Sequence, residues 1–522
     1  MVKISQIKMP LDYKNEDLIQ VAAKHLKIPN EDIAEIKLIK KSVDARKKND
    51  IHFVLGLEVR MKNDFSTEEK KFPEPEVDLR GRGKRPVIAG SGPAGMFAAL
   101  TLAKAGLKPL IIERGKSIDE RIKDVERFET TGVLDTQSNI QFGEGGAGTF
   151  SDGKLTTGIK DKRIGLVLET FYQSGAPKEI LYEAKPHIGT DILRNIMVKM
   201  RRKILALGGE FSFETQLVDF ECDEQANLKC VVVIKNGKRE TIKTDTLILA
   251  IGHSARDTIE MLFDKNVNMI QKPFSVGVRI EHKQEFINKA QYGKFYNHPV
   301  LGAADYKLSS HLKNGRGVYT FCMCPGGSVV AASSEANMVC VNGMSRHKRD
   351  GENANSAVLV SVMPSDFADE SPLCGIEFQR SIERKAFELG GENYKAPVQL
   401  VKDFIGGRVS SKMGNVKPTY PIGYKFADMR ELFPHFVTES LREGLLAFER
   451  NIKGFSCSDA VLTGAETRSS SPVRIVRDES MQCNIKGIYP CGEGAGYAGG
   501  IMSSAVDGIK TAERIIENEI AN

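Results

Sequence analysis

The sequence predicts an α/β protein in which a parallel, helix-flanked sheet of the Rossmann kind is split by a long α+β insertion and preceded by a small α/β module. Three observations predict it. Residues 86–113 read as strand, glycine turn, helix, strand and acid; the C-terminal residues 487–517 return to strand, glycine-rich turn and helix; and 273–455 between them carry no second glycine fingerprint of that kind.

The chain has 522 residues, of which 41% are hydrophobic and 27% charged, enough apolar side chains for a large core. No run approaches the ~18 uninterrupted apolar residues that span a bilayer, which excludes a membrane-spanning protein. The first residues carry charges throughout and form no apolar signal core, so no secretory leader is expected. Nine cysteines are sparse and none are at CxxC spacing. Cys322-Met323-Cys324 is too tight for a zinc clip and reads as loop cysteines, with a redox pair the alternative, so no metal site and no disulfide-reductase relay are expected. A reducing cytoplasm suits this cysteine usage. Residues 1–86 hold 19 basic and 15 acidic side chains, which is most of the net charge of +6. So small an excess reads as a solvated surface, and nucleic acid is not the expected partner.

In order, residues 1–62 read as β-α-β-β: alternation at 4–7, helical spacing at 17–26, then strands at 33–40 and 51–60. Residues 63–85 are charged, contain prolines and lack periodicity, the marks of a linker. The first Rossmann part, 86–272, opens on the apolar run Pro86-Val-Ile-Ala89 and a glycine turn. A small-residue helix, 96–105, ends at Gly106, and a second apolar strand, 109–112, ends at Glu113. A helix at 191–207, strands at 210–213 and 230–234, and a buried-looking strand at 246–251 ending at Gly252 complete it. The insertion follows at 273–455, and 456–522 returns to the first domain.

The turn Gly90-Ser91-Gly92-Pro93-Ala94-Gly95 has the spacing that cradles a pyrophosphate. Gly90 turns the chain, Gly92 lets backbone approach the phosphates, and Gly95 lets the helix pack on the strand, whose N-terminal N–H groups then face the anion. Glu113 is placed for a ribose. Five glycines between 143 and 153, Gly146 and Gly148 among them, suggest backbone lying against a flat or anionic ligand. In Cys491-Gly492-Glu493-Gly494-Ala495-Gly496-Tyr497-Ala498-Gly499-Gly500-Ile501, a carboxylate at a strand end can hold a polyol, and the helix starting near Gly500 can aim its positive end at a ring edge.

Together these stretches resemble the glutathione-reductase-like FAD-binding superfamily. Residues 113–128, 141–155, 186–191, 466–475 and 491–508, with the Ser-Val-Asp-Ala-Arg-Lys segment at 42–47, narrow the resemblance to a largely uncharacterised family of bacterial FAD-dependent dehydrogenases. The resemblance implies non-covalent FAD held by Gly90, Ser91, Gly92, Pro93, Ala94 and Gly95, by Glu113, Arg114 and Arg121, and by Gly146 and Gly148. It adds Val218 at the adenine, Gly252 beside the cofactor, and Gly492, Glu493, Gly499, Gly500 and Ile501 at the ribitol and ring. Glu493 departs from the aspartate usual there, by one methylene.

Four residues are candidates for chemistry. Lys154 can balance charge on a reduced ring, and His253 follows Gly252 at a strand end where a ligand lies. Arg468 and Arg474 flank Ser469-Ser-Ser-Pro472 and can bind a carboxylate or phosphate. The expectation is an FAD-dependent oxidoreductase that passes two electrons between a small, anionic substrate and flavin N5. An RNA-associated flavoenzyme guided by the N-terminal module, or a flavin-binding protein without turnover, are the alternatives.

Overall fold

The computed structural model describes residues 1–64, 78–81 and 84–521. The expected linker, 63–85, lies outside the described residues for 65–77 and 82–83. A five-stranded parallel sheet runs in the order Ile488–Pro490, Leu247–Leu249, Val87–Ala89, Leu110–Ile112, Glu210–Ser212. These strands are short apolar runs because both faces are covered. Ile88, Ile111 and Ile248 point to one side, into a core shared with the helices Pro93–Lys104, Thr190–Ala206 and Ile501–Ala521. Val87, Ala89, Ile112, Leu247 and Leu249 point to the other side. There they meet Leu217, Phe220, Val231 and Val233 of an antiparallel three-stranded sheet, Thr215–Cys222, Leu228–Lys235 and Lys238–Lys243. Each such buried aliphatic side chain contributes about 1.5–3 kcal/mol relative to exposure.

The helix Pro93–Lys104 is pressed onto its sheet and onto the final helix. A Cβ on Gly95 would lie 2.0 Å from the Gly90 carbonyl oxygen, and one on Gly508 would lie 2.1 Å from that of Ala94. Both are close approaches that only glycine permits.

A seven-stranded sheet forms the second body, in the order Ser309–His311, Gly317–Cys324, Asn353–Val362, Phe274–Lys283, Val461–Glu466, Ala396–Leu400, Tyr424–Phe426. All pairs are antiparallel except the last. The insertion was expected to end at 455, yet Val461–Glu466 lies in the middle of this sheet, so the chain stays with it past that point.

At the N-terminus, Val2–Met9, His52–Met61 and Ile33–Asp44 form an antiparallel sheet in that order, with the helix Asn15–Leu26 against it. Its Ile4, Ile7, Phe53, Leu55 and Leu57 share one continuous core with Val276, Val278, Val358 and Val360 of the large sheet and with Leu441 and Leu445 of the helix His435–Phe448. The module is therefore built onto the body. Among the described residues, no helix is long and apolar enough to cross a membrane.

Candidate functional site

The strand after Val87–Ala89 adds on one side of it, and Leu247–Leu249 adds on the other. The order reverses between these two strands, and the crevice beyond their carboxyl ends is where open α/β sheets take ligands. A cleft of about 410 Å³ opens there, lined by Gly90, Ser91, Gly92, Pro93 and Ala94 on one strand end and by Gly252, His253 and Ser254 on the other. Gly92 is the N-cap of Pro93–Lys104 and brings no side chain to the first-turn N–H groups, which stay free to face an anion. Gly95 lies beneath the loop and does not line the cleft; it packs helix on strand.

Glu113 lines the cleft, but its carboxylate is also the anchor of the loops. Oε2 accepts from Ser91 N at 2.9 Å and Ser91 Oγ at 2.7 Å, and Oε1 accepts from Gly115 N and Gly143 N, both at 3.0 Å. Glu113→Gln places an amide N–H₂ against two of these donors. With hydrogen bonds to a buried charge worth ~1.5–3 kcal/mol, the variant is expected to lose about that much stability, read as a lower urea midpoint at unchanged slope.

Gly146 and Gly148 line the cleft beside Gly92 and Ile501. Arg121 does not. Its guanidinium is wholly buried and donates to five carbonyls, those of Asn139, Ile140, Gly143, Glu144 and Gly146. Burial pushes it down to about 10, against the pull of Glu113 and Glu144. It shapes the second glycine loop from behind and does not meet the ligand space, which corrects the expectation. Arg114 lines the cleft while paired with Asp257 at 2.7 Å and Thr258 Oγ1 at 2.8 Å. Val218 is displaced by one position. Thr215 and Leu217, two residues apart on one face of the strand, line the cleft instead.

Gly492 packs against Ala94 and donates its N–H to Asp507, off the cleft, whereas Glu493, Gly499, Gly500 and Ile501 line it. Glu493 accepts from His253 Nδ1 at 2.7 Å, which fixes the imidazole tautomer and leaves Nε2 an acceptor. That Nε2 is buried and has no partner among the described residues.

Arg468 lines the cleft as expected, but its charge is committed. It is bidentate to Glu383 at 3.0 and 2.8 Å and donates to Ser254 and Ser334. Arg474 is placed away from the cleft, donating to the Gly496 carbonyl at 3.3 Å and stacking over Tyr497. Lys154 lines the cleft with its ammonium on the Met323 carbonyl and 3.5 Å from Asp152. Phe321 and Cys322, brought by the large sheet, and Asn342, on the two-stranded sheet Gly327–Ala331 with Val341–Ser345, line the same cleft and were not among the expected site residues. Only the Cys322-Met323-Cys324 spacing signalled any of them. Among the described residues, no group of three or more His, Cys, Asp or Glu side chains is arranged to hold a metal ion.

The donor set and the space fit a dinucleotide cofactor. At Gly499 and Gly500 a Cβ would meet nothing within 4 Å among the described residues, and at Gly92 only the Gly146 Cα at 3.9 Å. None of the three has a positive φ. Their backbones do not require glycine, so the open space in front of them is what it preserves.

Residues 85–120 match an FAD binding domain, 273–469 the C-terminal domain of FAD-dependent proteins, and 1–60 a domain of unknown function. The fold and cleft are thus those of an FAD-binding protein, and FAD is the cofactor. A Clostridium beijerinckii protein, described as uncharacterized, is 51% identical over 532 residues, covering 99% of this chain and 98% of that one. The chain belongs to the same FAD-dependent protein family. Among solved structures, the flavin-dependent brominase Bmp2 is similar at TM-score 0.39 and 12% identity, covering 84% of this chain and 79% of its own. The E. coli quinol fumarate reductase FrdA is similar at TM-score 0.36 and 11% identity, covering 84% and 70%.

Proposed function

We propose that the protein is an FAD-dependent oxidoreductase that passes two electrons between a small substrate and non-covalently bound flavin. The observation that carries this reading is the composition of the cleft. The parallel sheet supplies the glycine cradle, and the inserted body supplies Phe321 and Cys322 from its large sheet and Asn342 from its two-stranded sheet to the same space. A store of cofactor needs only the first. The parallel sheet with helices on one face and an antiparallel three-stranded layer on the other also supports the glutathione-reductase-like reading of the domain.

In this reading Gly90–Ala94 and the start of Pro93–Lys104 bind the pyrophosphate, and Glu113 holds the loop and borders the ribose. Leu217 and Thr215 border the adenine. The Gly499–Ile501 turn and Gly146–Gly148 border the ring. FAD, once bound, supplies the two-electron chemistry. His253, paired with Glu493, lines the cleft wall beside Gly252 and positions that carboxylate at the ribitol and ring end.

The test is an anaerobic screen of the FAD-loaded protein with nicotinamide, dithiol, hydroxy-acid and amine donors, following the flavin visible band. Bleaching by one class at a rate far above free FAD is the expected result. A flavin that dithionite reduces but no donor does would make the protein a flavin-binding module without turnover.

A further inference from the structure

The strand Gly317–Cys324 pairs regularly with Asn353–Val362 up to Phe321↔Ala357 and resumes only at Cys324↔Asn355, with one extra residue in between. This is a β-bulge, a device that re-aims side chains. Within it Cys322 has φ +43°, a left-handed backbone unfavourable for a non-glycine residue. The bulge sets Cys322 on the cleft wall, next to Phe321 and near Lys154 and Asn342, while Cys324 is completely buried behind it. Both thiols are free, and the Cys324 thiol donates to the Cys322 carbonyl at 3.2 Å.

Two cations are fixed against this pair. The buried Arg279 guanidinium donates to the Cys322 carbonyl at 3.1 Å and lies 3.8 Å from the Cys324 sulfur, held by Glu466 at 2.6 Å and Asn355 at 2.7 Å. Lys154 reaches across from the glycine loop to the carbonyl of Met323, between the two cysteines. The neighbouring Cys324 side chain pulls the Cys322 thiol below its usual range; burial opposes this, and Lys154 and Arg279 reinforce it. Cys324 is driven the opposite way by its Cys322 neighbour and by burial. Burial alone would lower Lys154, but the two sulfurs and Asp152 outweigh it and raise it. A thiol on the cleft wall with a second thiol buried two residues on, and two cations fixed against them, is an arrangement that favours a thiolate at Cys322 and suits a dithiol. The pair lies on the strand Gly317–Cys324 rather than in a loop.

We propose that Cys322 and Cys324 are a redox-active dithiol–disulfide pair, Cys322 at the cleft and Cys324 behind it, that relays two electrons between the bound flavin and a thiol or disulfide substrate. This rests on the oxidoreductase reading and names its substrate class. In the oxidising direction the Cys322 thiolate and Cys324 thiol form an S–S bond, the Cys324 S–H bond breaks, and two electrons and one proton pass to oxidised flavin. A dithiol substrate then reopens the S–S bond by exchange, leaving as its own disulfide and returning thiolate, thiol and one proton.

The test uses the full chain, with and without FAD, equilibrated anaerobically in graded mixtures of reduced and oxidised dithiothreitol. Acid quenching, alkylation and peptide mass spectrometry then report the state of each cysteine. The expected result is a 322–324 cross-link, lighter by two hydrogens, in both forms of the protein. Cys322 is expected to alkylate at about pH 6.5 on the order of tenfold faster than Cys457. Reduced dithiothreitol should bleach the flavin of wild type, and both Cys322→Ser and Cys324→Ser should slow this about 100-fold with FAD content unchanged. Lys154→Met should slow Cys322 alkylation without releasing FAD. Absence of the cross-link at every ratio, or bleaching of both serine variants at the wild-type rate, overturns the proposal. Failure of the cofactor reading is distinguishable: the protein takes up no flavin, which overturns the electron transfer, while the cross-link in FAD-free protein still decides whether the pair is redox-active.

Discussion

Gly92→Val is expected to leave a folded protein that no longer holds FAD. Gly92 has φ −69°, open to any residue, and the nearest atom a Cβ would meet is Gly146 Cα at 3.9 Å. The isopropyl group therefore meets little protein and occupies the space where backbone must approach phosphate. Losing that approach and the N–H groups behind it should cost at least about 3 kcal/mol of binding, or roughly 100-fold in Kd. Equilibrium dialysis against FAD, with the melting temperature of the FAD-free protein as control, separates this from misfolding. Gly95→Ala is the contrast, because its Cβ would strike the Gly90 carbonyl and lower the stability of the FAD-free protein itself.

The second large effect is predicted at Glu383, a residue with no sequence signature. Its carboxylate, fully buried on the helix Cys374–Gly390, accepts bidentate pairs from Arg256 at 2.8 and 3.0 Å and from Arg468 at 3.0 and 2.8 Å, with Thr467 Oγ1 at 2.6 Å. Glu335 shares both guanidinium groups from the edge. Arg256 comes from the helix beside the parallel sheet and Glu383 from the other body, so the cluster ties the two together. Glu383→Ala leaves two buried guanidinium groups short of a counter-charge and should cost about 3–5 kcal/mol in urea unfolding. Burial opposes ionisation of Glu383, but Arg256 and Arg468 outweigh it and hold the carboxyl far below the carboxylate range. A depressed folded-state pKa contributes stability above the unfolded value, about 4.3, and loses it as pH falls toward the folded one. Wild type should therefore weaken progressively below about pH 4.3, and the part of that slope due to Glu383 should vanish in Glu383→Gln.

The parts of the molecule legible from sequence are those whose signal is local. The strand, glycine turn, helix and acid of 87–113 lie within one short stretch, where Gly90 and Gly95 answer close backbone contacts and Gly92 keeps space open. The same holds for the late turn at Gly499–Ile501. What was illegible depends on distant pairing. Val461–Glu466 belongs to the large sheet through bonds to Phe274–Lys283, which no local pattern records. A bulge defeats alternation where it sets Cys322 on the cleft wall, and the face of Thr215 and Leu217, not Val218, meets the cleft. Arginines are ambiguous for a further reason. Arg121, Arg468 and Arg474 look equally fit for an anion, and only burial shows Arg121 committed to loop carbonyls, Arg468 to Glu383 and Arg474 to a turn.

The account rests on FAD occupying the cleft at the strand switch point. The most direct measurement is to purify the protein, or reconstitute it with FAD, and release the ligand with acid for chromatography, with Gly92→Val processed in parallel. Stoichiometric, intact FAD from wild type and none from the variant is the predicted result. Wild type that takes up no flavin, or that yields only NAD, would contradict the account, as would a Gly92→Val protein that holds FAD as tightly as wild type.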